Sequence, residues 1–296
     1  MGVRLGIWPR RSPLQDFNHD EMTMIRRLYR DGGLQQTQRF DMVVLQGDCV
    51  GGSTDCKVIY GDDNSDDLFF VDCPDASCSA TGRTITTIDS NGGTNSTSDA
   101  FVSLDCVSAT DCKFTYLGDN TSGAENLYFV DCDAADCSSG SVLELPGPRF
   151  KGALSCLTST NCKLVYYEGT STTNPTVQFA DCDVTNCFPS SSSLTAPWST
   201  QTNVTSVSLT YDSTNSDLYA HIIKDTSEQA YFKSTDAATI SWGAETSYAF
   251  TAGDLGHISA PMTGAGTSQI GVVLRQGANF EFAVVPENLL ILLLLG

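Results

Sequence analysis

From about residue 40 onward, short runs of Val, Ile, Leu, Phe and Tyr alternate with clusters of Ser, Thr, Asp, Asn and Gly. In 112–117, Cys112, Phe114 and Tyr116 alternate with Lys113 and Thr115, a period of two that predicts a strand with one apolar face. Segment 127–130 is apolar at every position, as expected of a strand covered on both sides. With 101–106 and 141–145, these segments predict four strands within one unit, parted by turn residues. No stretch after residue 40 carries helical periodicity.

This unit recurs. Cys106, Cys112-Lys113, Asp131-Cys132 and Cys137 are matched 50 residues later by Cys156, Cys162-Lys163, Asp181-Cys182 and Cys187. Cys49, Cys56-Lys57, Asp72-Cys73 and Cys78 form an earlier, longer copy, extended by the insertion at 89–97. A fourth copy lacks cysteine, yet Val207-Ser208-Leu209 matches Val102-Ser103-Leu104 and Asp236-Ala237-Ala238 matches Asp133-Ala134-Ala135. A fifth, looser copy runs through Ile258, Gly271–Leu274 and Asn279–Phe282.

Four strands in each of about five tandem repeats predict an all-β chain, a β-propeller of four-stranded blades, with completeness of the ring left open. A sandwich array or a β-solenoid is the alternative. The expected boundaries are 1–38 for an N-terminal segment without assigned role, 39–285 for the repeats, and 286–296 for an apolar tail. The repeats divide at about 39–99, 100–151, 152–203, 204–250 and 251–285. The fifth lacks an obvious fourth strand, and Gly33–Phe40 is the candidate to supply it and close a ring.

Charge narrows the partners. The first 40 residues hold seven Arg against four acids, whereas the rest holds nine Lys or Arg against 31 acids. A body of net charge −22 repels phosphate backbones, which argues against nucleic acid as a partner.

All twelve cysteines fall between Cys49 and Cys187, in pairs that each bracket a short turn. Antiparallel strand ends joined by such turns lie within disulfide reach. The expected bonds are Cys49–Cys56, Cys73–Cys78, Cys106–Cys112, Cys132–Cys137, Cys156–Cys162 and Cys182–Cys187. Zinc held by four cysteines per unit is the competing reading, but CxxC spacing is absent and no His lies nearby. Disulfides imply an extracellular or cell-surface location. Met1–Trp8 has no apolar core of a signal peptide, so the expectation is a start elsewhere or a non-native first 38 residues.

Val285-Pro286-Glu287-Asn288 and the run Leu289–Leu295 resemble the opening of a bacterial PEP-CTERM sorting signal, with Asn288 in place of its second Pro. That resemblance implies membrane contact only through a truncated or missing C-terminal anchor. The alternative is an edge strand.

Ser234-Thr-Asp236-Ala-Ala-Thr-Ile-Ser-Trp242 resembles the Asp-box of sialidase-like propellers, departing by Ala at the Gly position and one extra residue before Trp242. In that family the box is a structural turn between the third and fourth strands of a blade. By the repeat alignment the same turn in the first three units is the Cys-x4-Cys loop, so a disulfide is expected to replace the Asp-box clamp. The family also contains sialidases, which grip a carboxylate with three arginines. Arg83, Arg149 and Arg275 are the candidates here, although their contexts do not recur in the repeat and the family's Phe/Tyr-Arg-Ile-Pro motif is absent.

Other chemistry is thin. Asp62, Asn64 and Asp66 alternate as calcium ligands do but lack the turn Gly and distal Glu of a calcium loop; no other cofactor is expected. His19, His221 and His257 are scattered, and Asn95, Asn120 and Asn203 stand in glycosylation sequons. The function expected is a non-catalytic extracellular binding or adhesion module for a protein or glycan ligand. A sialidase-like glycoside hydrolase is the alternative.

Overall fold

A computed structural model describes residues 5–7, 42–50, 55–62, 67–73, 82–90, 102–119, 125–145, 149–168, 176–183, 195–198, 204–212, 215–224, 229–249, 257–264, 267–276, 279–285 and 289–291. All regular structure among them is β-strand. The first sheet holds β1 (Leu5–Ile7), β2 (Met42–Val50), β3 (Asp55–Asp62), β4 (Asp67–Cys73) and β5 (Thr84–Asp89). The second holds β6 (Val102–Ser108), β7 (Asp111–Asp119), β8 (Glu125–Cys132) and β9 (Gly140–Glu144). The third holds β10 (Arg149–Thr158), β11 (Asn161–Glu168), β12 (Thr176–Asp183) and β13 (Thr195–Trp198). The fourth holds β14 (Val204–Asp212), β15 (Asp217–Lys224), β16 (Gln229–Asp236) and β17 (Thr246–Ala249). The fifth holds β18 (His257–Gly264), β19 (Thr267–Gln276), β20 (Asn279–Val285) and β21 (Leu289–Ile291).

Each sheet is a meander of consecutive antiparallel strands, as expected of blade-type repeats, and the first carries β1 in addition, parallel to β2. The fifth sheet departs from expectation. Its fourth strand is made by the apolar tail, with Leu289, Leu290 and Ile291 opposite Val284, Ala283 and Phe282. The tail follows β20 directly, so a hairpin reaches that edge with little loop-closure cost. Gly33–Phe40 lies outside the described residues.

The chain forms two compact units, Val3–Glu144 and Leu145–Gly296. In the first, β2 and β3 pack on β6. Its core joins Ile59, Leu68 and Phe70 to Leu104, Phe114, Tyr116 and Val130, with Phe70 and Phe114 stacked at 6.2 Å between ring centroids. In the second unit, β10 and β11 pack on β14, and β14 on β18. The fourth strands β5 and β9 are largely exposed, whereas Cys112–Gly118 of β7 is buried without interruption. The face of β7 carrying Lys113 and Thr115, expected to be its polar side, is therefore covered as well (2% and 0% exposed).

Candidate functional site

Each of the first three sheets carries the same two adjacent register rows within itself, and these explain how charge is buried there. Lys57 stands between Asp48 and Asp72, Lys113 between Asp105 and Asp131, and Lys163 between Ser155 and Asp181. Lys57 pairs with Asp72 and, at 2.5 Å, with Asp55; Lys113 pairs with Asp111 and, at 2.6 Å, with Asp131; Lys163 pairs with Asp181. Burial works against the Lys113 ammonium, yet the carboxylates of Asp111 and Asp131 hold its pKa above the usual lysine value. These lysines are structural. The signal for them was present in the chain, since a Lys follows the second cysteine of all three units.

The neighbouring row carries sulfur. Cys106–Cys112, Cys132–Cys137 and Cys156–Cys162 are disulfides, with Cα atoms 4.0, 4.8 and 3.9 Å apart. Cys56, Cys73 and Cys182 are also disulfide-bonded, and Cys49 stands opposite Cys56 in register. Cys78 and Cys187 lie outside the described residues. Among the described residues no cysteine is free, and no group of three metal-ligating side chains forms.

The turns after β8 and β16 are built to one plan with different clamps. After β8, Cys132–Cys137 closes the loop, Cys137 N–H donates to Ala134 C=O (2.9 Å), and Asp133 N–H donates to Ser139 C=O (3.1 Å). Cys137 takes a φ of 54°, a left-handed conformation rare outside glycine. After β16, Asp236 Oδ1 accepts from the N–H groups of Ala238 and Thr239, both at 2.8 Å, and Thr235 Oγ1 accepts from Ser241 N–H at 2.7 Å. Each turn returns through a glycine seven residues beyond its Asp, against the equivalent carbonyl. A Cβ on Gly140 would lie 2.3 Å from Asp131 O, and Gly243 N–H donates to Ser234 O at 2.9 Å. Ser234, Asp236 and Trp242 therefore form a turn between third and fourth strands.

Trp242 leaves that turn to meet Phe179 of β12 edge to face, 5.3 Å between centroids at 77°. Trp198 of β13 is buried, its indole N–H donating to Glu245 Oε2 at 2.5 Å. Lys233 Nζ lies 5.7 Å from the Trp198 ring centroid, in cation–π range. Trp242 and Lys233 are half-buried and Glu245 is exposed. These contacts join the third and fourth sheets through residues as distant in sequence as Phe179 and Trp242. They combine the half-buried ring of Trp242 with an ammonium and a carboxylate held by Trp198, group types able to hold a hydroxyl-rich ligand by ring contact and charge-assisted hydrogen bonds. Sequence reasoning saw Trp242 only as part of a turn and missed Trp198, Lys233 and Glu245, which no motif links.

The other candidates are dispersed over the repeat. Arg83 precedes the fourth strand of the first sheet, Arg149 opens the first strand of the third, and Arg275 stands opposite Phe280 in the second strand of the fifth. Asp62 closes β3 opposite Asp67, and Asn64 and Asp66 lie outside the described residues. His221 is fully buried in β15 between Ser208 and Phe232.

No family model and no curated protein sequence matches the chain. Among solved structures, it is similar to a protein of unknown function from Dyadobacter fermentans, with a TM-score of 0.56 and 11% identity over 82% of this chain and 79% of that one. It is also similar to the BP39L lectin from Burkholderia pseudomallei, with a TM-score of 0.51 and 10% identity over 84% of this chain and 70% of that one. A GH43_1 enzyme from Xanthomonas citri covers 93% of this chain, but at a TM-score of 0.44 and 7% identity it is too distant to bear on it. At such identities the likeness is one of fold.

Proposed function

We propose that the chain is a non-catalytic, extracellular propeller-type binding module that takes a glycan where Trp242, Lys233 and Glu245 of the fourth sheet meet the third, with Trp242 as the ring platform. The observation that carries this reading is the pair of tryptophans joining the third and fourth sheets: the partly open indole of Trp242 against Phe179, and Trp198 with the Lys233 ammonium over its ring and the Glu245 carboxylate on its N–H, an aromatic and charged mixture of the kind sugar rings and their hydroxyls require. Two further points support it. The disulfides suit an oxidising compartment, and a lectin uses a similar fold. The Asp-box likeness of Ser234–Trp242 belongs to the same reading, as a turn that holds Trp242 in place.

A hydrolase of sialidase type would need three arginines at one point, whereas Arg83, Arg149 and Arg275 occupy non-equivalent positions of the repeat. The test is a glycan microarray probed with the full chain, followed by calorimetry on the retained sugars. Binding is expected to fall about tenfold in Trp242→Ala, with the circular dichroism spectrum unchanged. Retention of no glycan, or equal affinity in the variant, overturns the proposal. Turnover of a fluorogenic sialoside would replace it with the hydrolase reading.

A further inference from the structure

We propose that the cysteine row of the second sheet is a thiol–disulfide exchange site for a dithiol reductant, in which a disulfide moves one strand along the ladder. Cys106, Cys112 and Cys132 stand directly opposite one another on β6, β7 and β8. Side chains so opposed share one face of the sheet. A residue of an antiparallel ladder turns its N–H and C=O to one neighbour, so it forms a hydrogen-bonded pair on one side and a non-hydrogen-bonded pair on the other. Cys106 and Cys112 lie 4.0 Å apart at Cα, the close spacing of the non-hydrogen-bonded kind. Cys112 and Cys132 are therefore the hydrogen-bonded pair, about 5.5 Å apart, near the commonest Cα separation of disulfides. The middle cysteine thus has a bonded partner on one strand and a second sulfur within bonding span on the other.

Access sets the order of events. Cys137 is 7% exposed, whereas Cys106, Cys112 and Cys132 are 1%, 1% and 0% exposed. A thiolate of the dithiol attacks Cys137 Sγ, the Cys132–Cys137 bond breaks, and Cys132 leaves as a thiolate. The second thiol of the reagent closes its own disulfide and releases Cys137 as a thiol. The Cys132 thiolate then attacks Cys112 Sγ. A Cys112–Cys132 bond forms, the Cys106–Cys112 bond breaks, and its electron pair leaves on Cys106, which takes up a proton. One dithiol is oxidised and one protein disulfide is reduced in the sum. Reduction that enters at the turn ends at Cys106 and Cys137, with the turn unclamped and the central hairpin β7–β8 cross-linked. The same three-cysteine row occurs as Cys156, Cys162 and Cys182 in the third sheet and as Cys49, Cys56 and Cys73 in the first.

The experiment treats the native full chain with limiting dithiothreitol, quenches with acid, alkylates, and maps peptides by mass spectrometry. Cleavage at Lys113 separates Cys112 from Cys132. The expected product carries a Cys112–Cys132 bridge and alkyl groups on Cys106 and Cys137. Alkylation confined to Cys132 and Cys137, with Cys106–Cys112 intact, overturns the proposal. A Cys137→Ser variant presents the Cys132 thiol without added reductant. It is expected to show the same bridge with the thiol on Cys106, and a thiol that stays on Cys132 overturns the proposal equally.

Discussion

Lysine is among the residues least often fully buried, yet Lys57, Lys113 and Lys163 are 0%, 2% and 2% exposed. What permits this is placement, since each lies in register with an aspartate on the next strand. Removing one partner of such a pair strands the other. Lys113→Met is therefore expected to lower stability by about 3 kcal/mol, measured by urea unfolding. The raised pKa of Lys113 gives a sign for pH. Its stabilisation is present below the ordinary lysine value and is lost as pH rises through the folded value, so the variant should lack that part of the alkaline loss.

The fourth sheet has Tyr219 at the lysine position, and the row Asp212, Asp217, Asp236 beside it is consequently acidic. Burial, then the charges of Asp212 and Asp236, raise the Asp217 carboxyl above 3.8. A raised carboxyl stabilises the fold only when protonated, an advantage lost as pH rises through the folded value. Asp217→Asn is expected to raise the unfolding midpoint at neutral pH and to leave it unchanged at about pH 3, where the parent is protonated too. An equal midpoint at neutral pH would refute this.

At the scale of the element, one turn is closed in two ways. A disulfide across five residues of sequence clamps the turn after β8, and two backbone-to-carboxylate hydrogen bonds clamp the turn after β16. The strengths are comparable. Replacing Cys132 and Cys137 by Ser should cost about 2 kcal/mol in the chain-entropy treatment. Asp236→Ala should cost about 1–2 kcal/mol through its two lost hydrogen bonds. Calorimetric midpoints of the two variants would check both, and an Asp236→Ala chain as stable as its parent would refute the equivalence. The repeat alignment anticipated this pairing of turns, because Asp133-Ala134-Ala135 and Asp236-Ala237-Ala238 coincide. It did not anticipate Gly140 and Gly243, whose need arises only where the returning strand crosses a carbonyl.

For the whole molecule, the acidity after residue 40 sets the response to salt. Most of the 31 acids there have no cation to balance them, since only nine Lys or Arg accompany them. Self-repulsion should lower the unfolding midpoint in about 0.01 M salt and lose most of its range by about 0.15 M, where the Debye length is about 8 Å. A midpoint independent of salt would mean that the acids are balanced locally throughout, as they are around the buried lysines.

Strands, hairpins and cysteine rows were legible in the chain because they depend on neighbours a few residues away. A period of two assigns faces, and a short turn sets register between Cys106 and Cys112 or Cys132 and Gly140 without reference to the rest of the fold. Three features were not legible: the cover over the Lys113 face of β7, the meeting of Trp198 with Lys233 and Glu245, and the pairing of Leu289–Ile291 with β20. Burial is conferred on a side chain by whatever sheet lies against it, and contacts across 47 residues leave no local pattern. The apolar tail had two readings because seven apolar residues suit a strand edge or the start of a longer apolar segment equally. The strand opposite Leu289–Ile291, which meets their backbone hydrogen-bonding needs, is specified only by the tertiary structure.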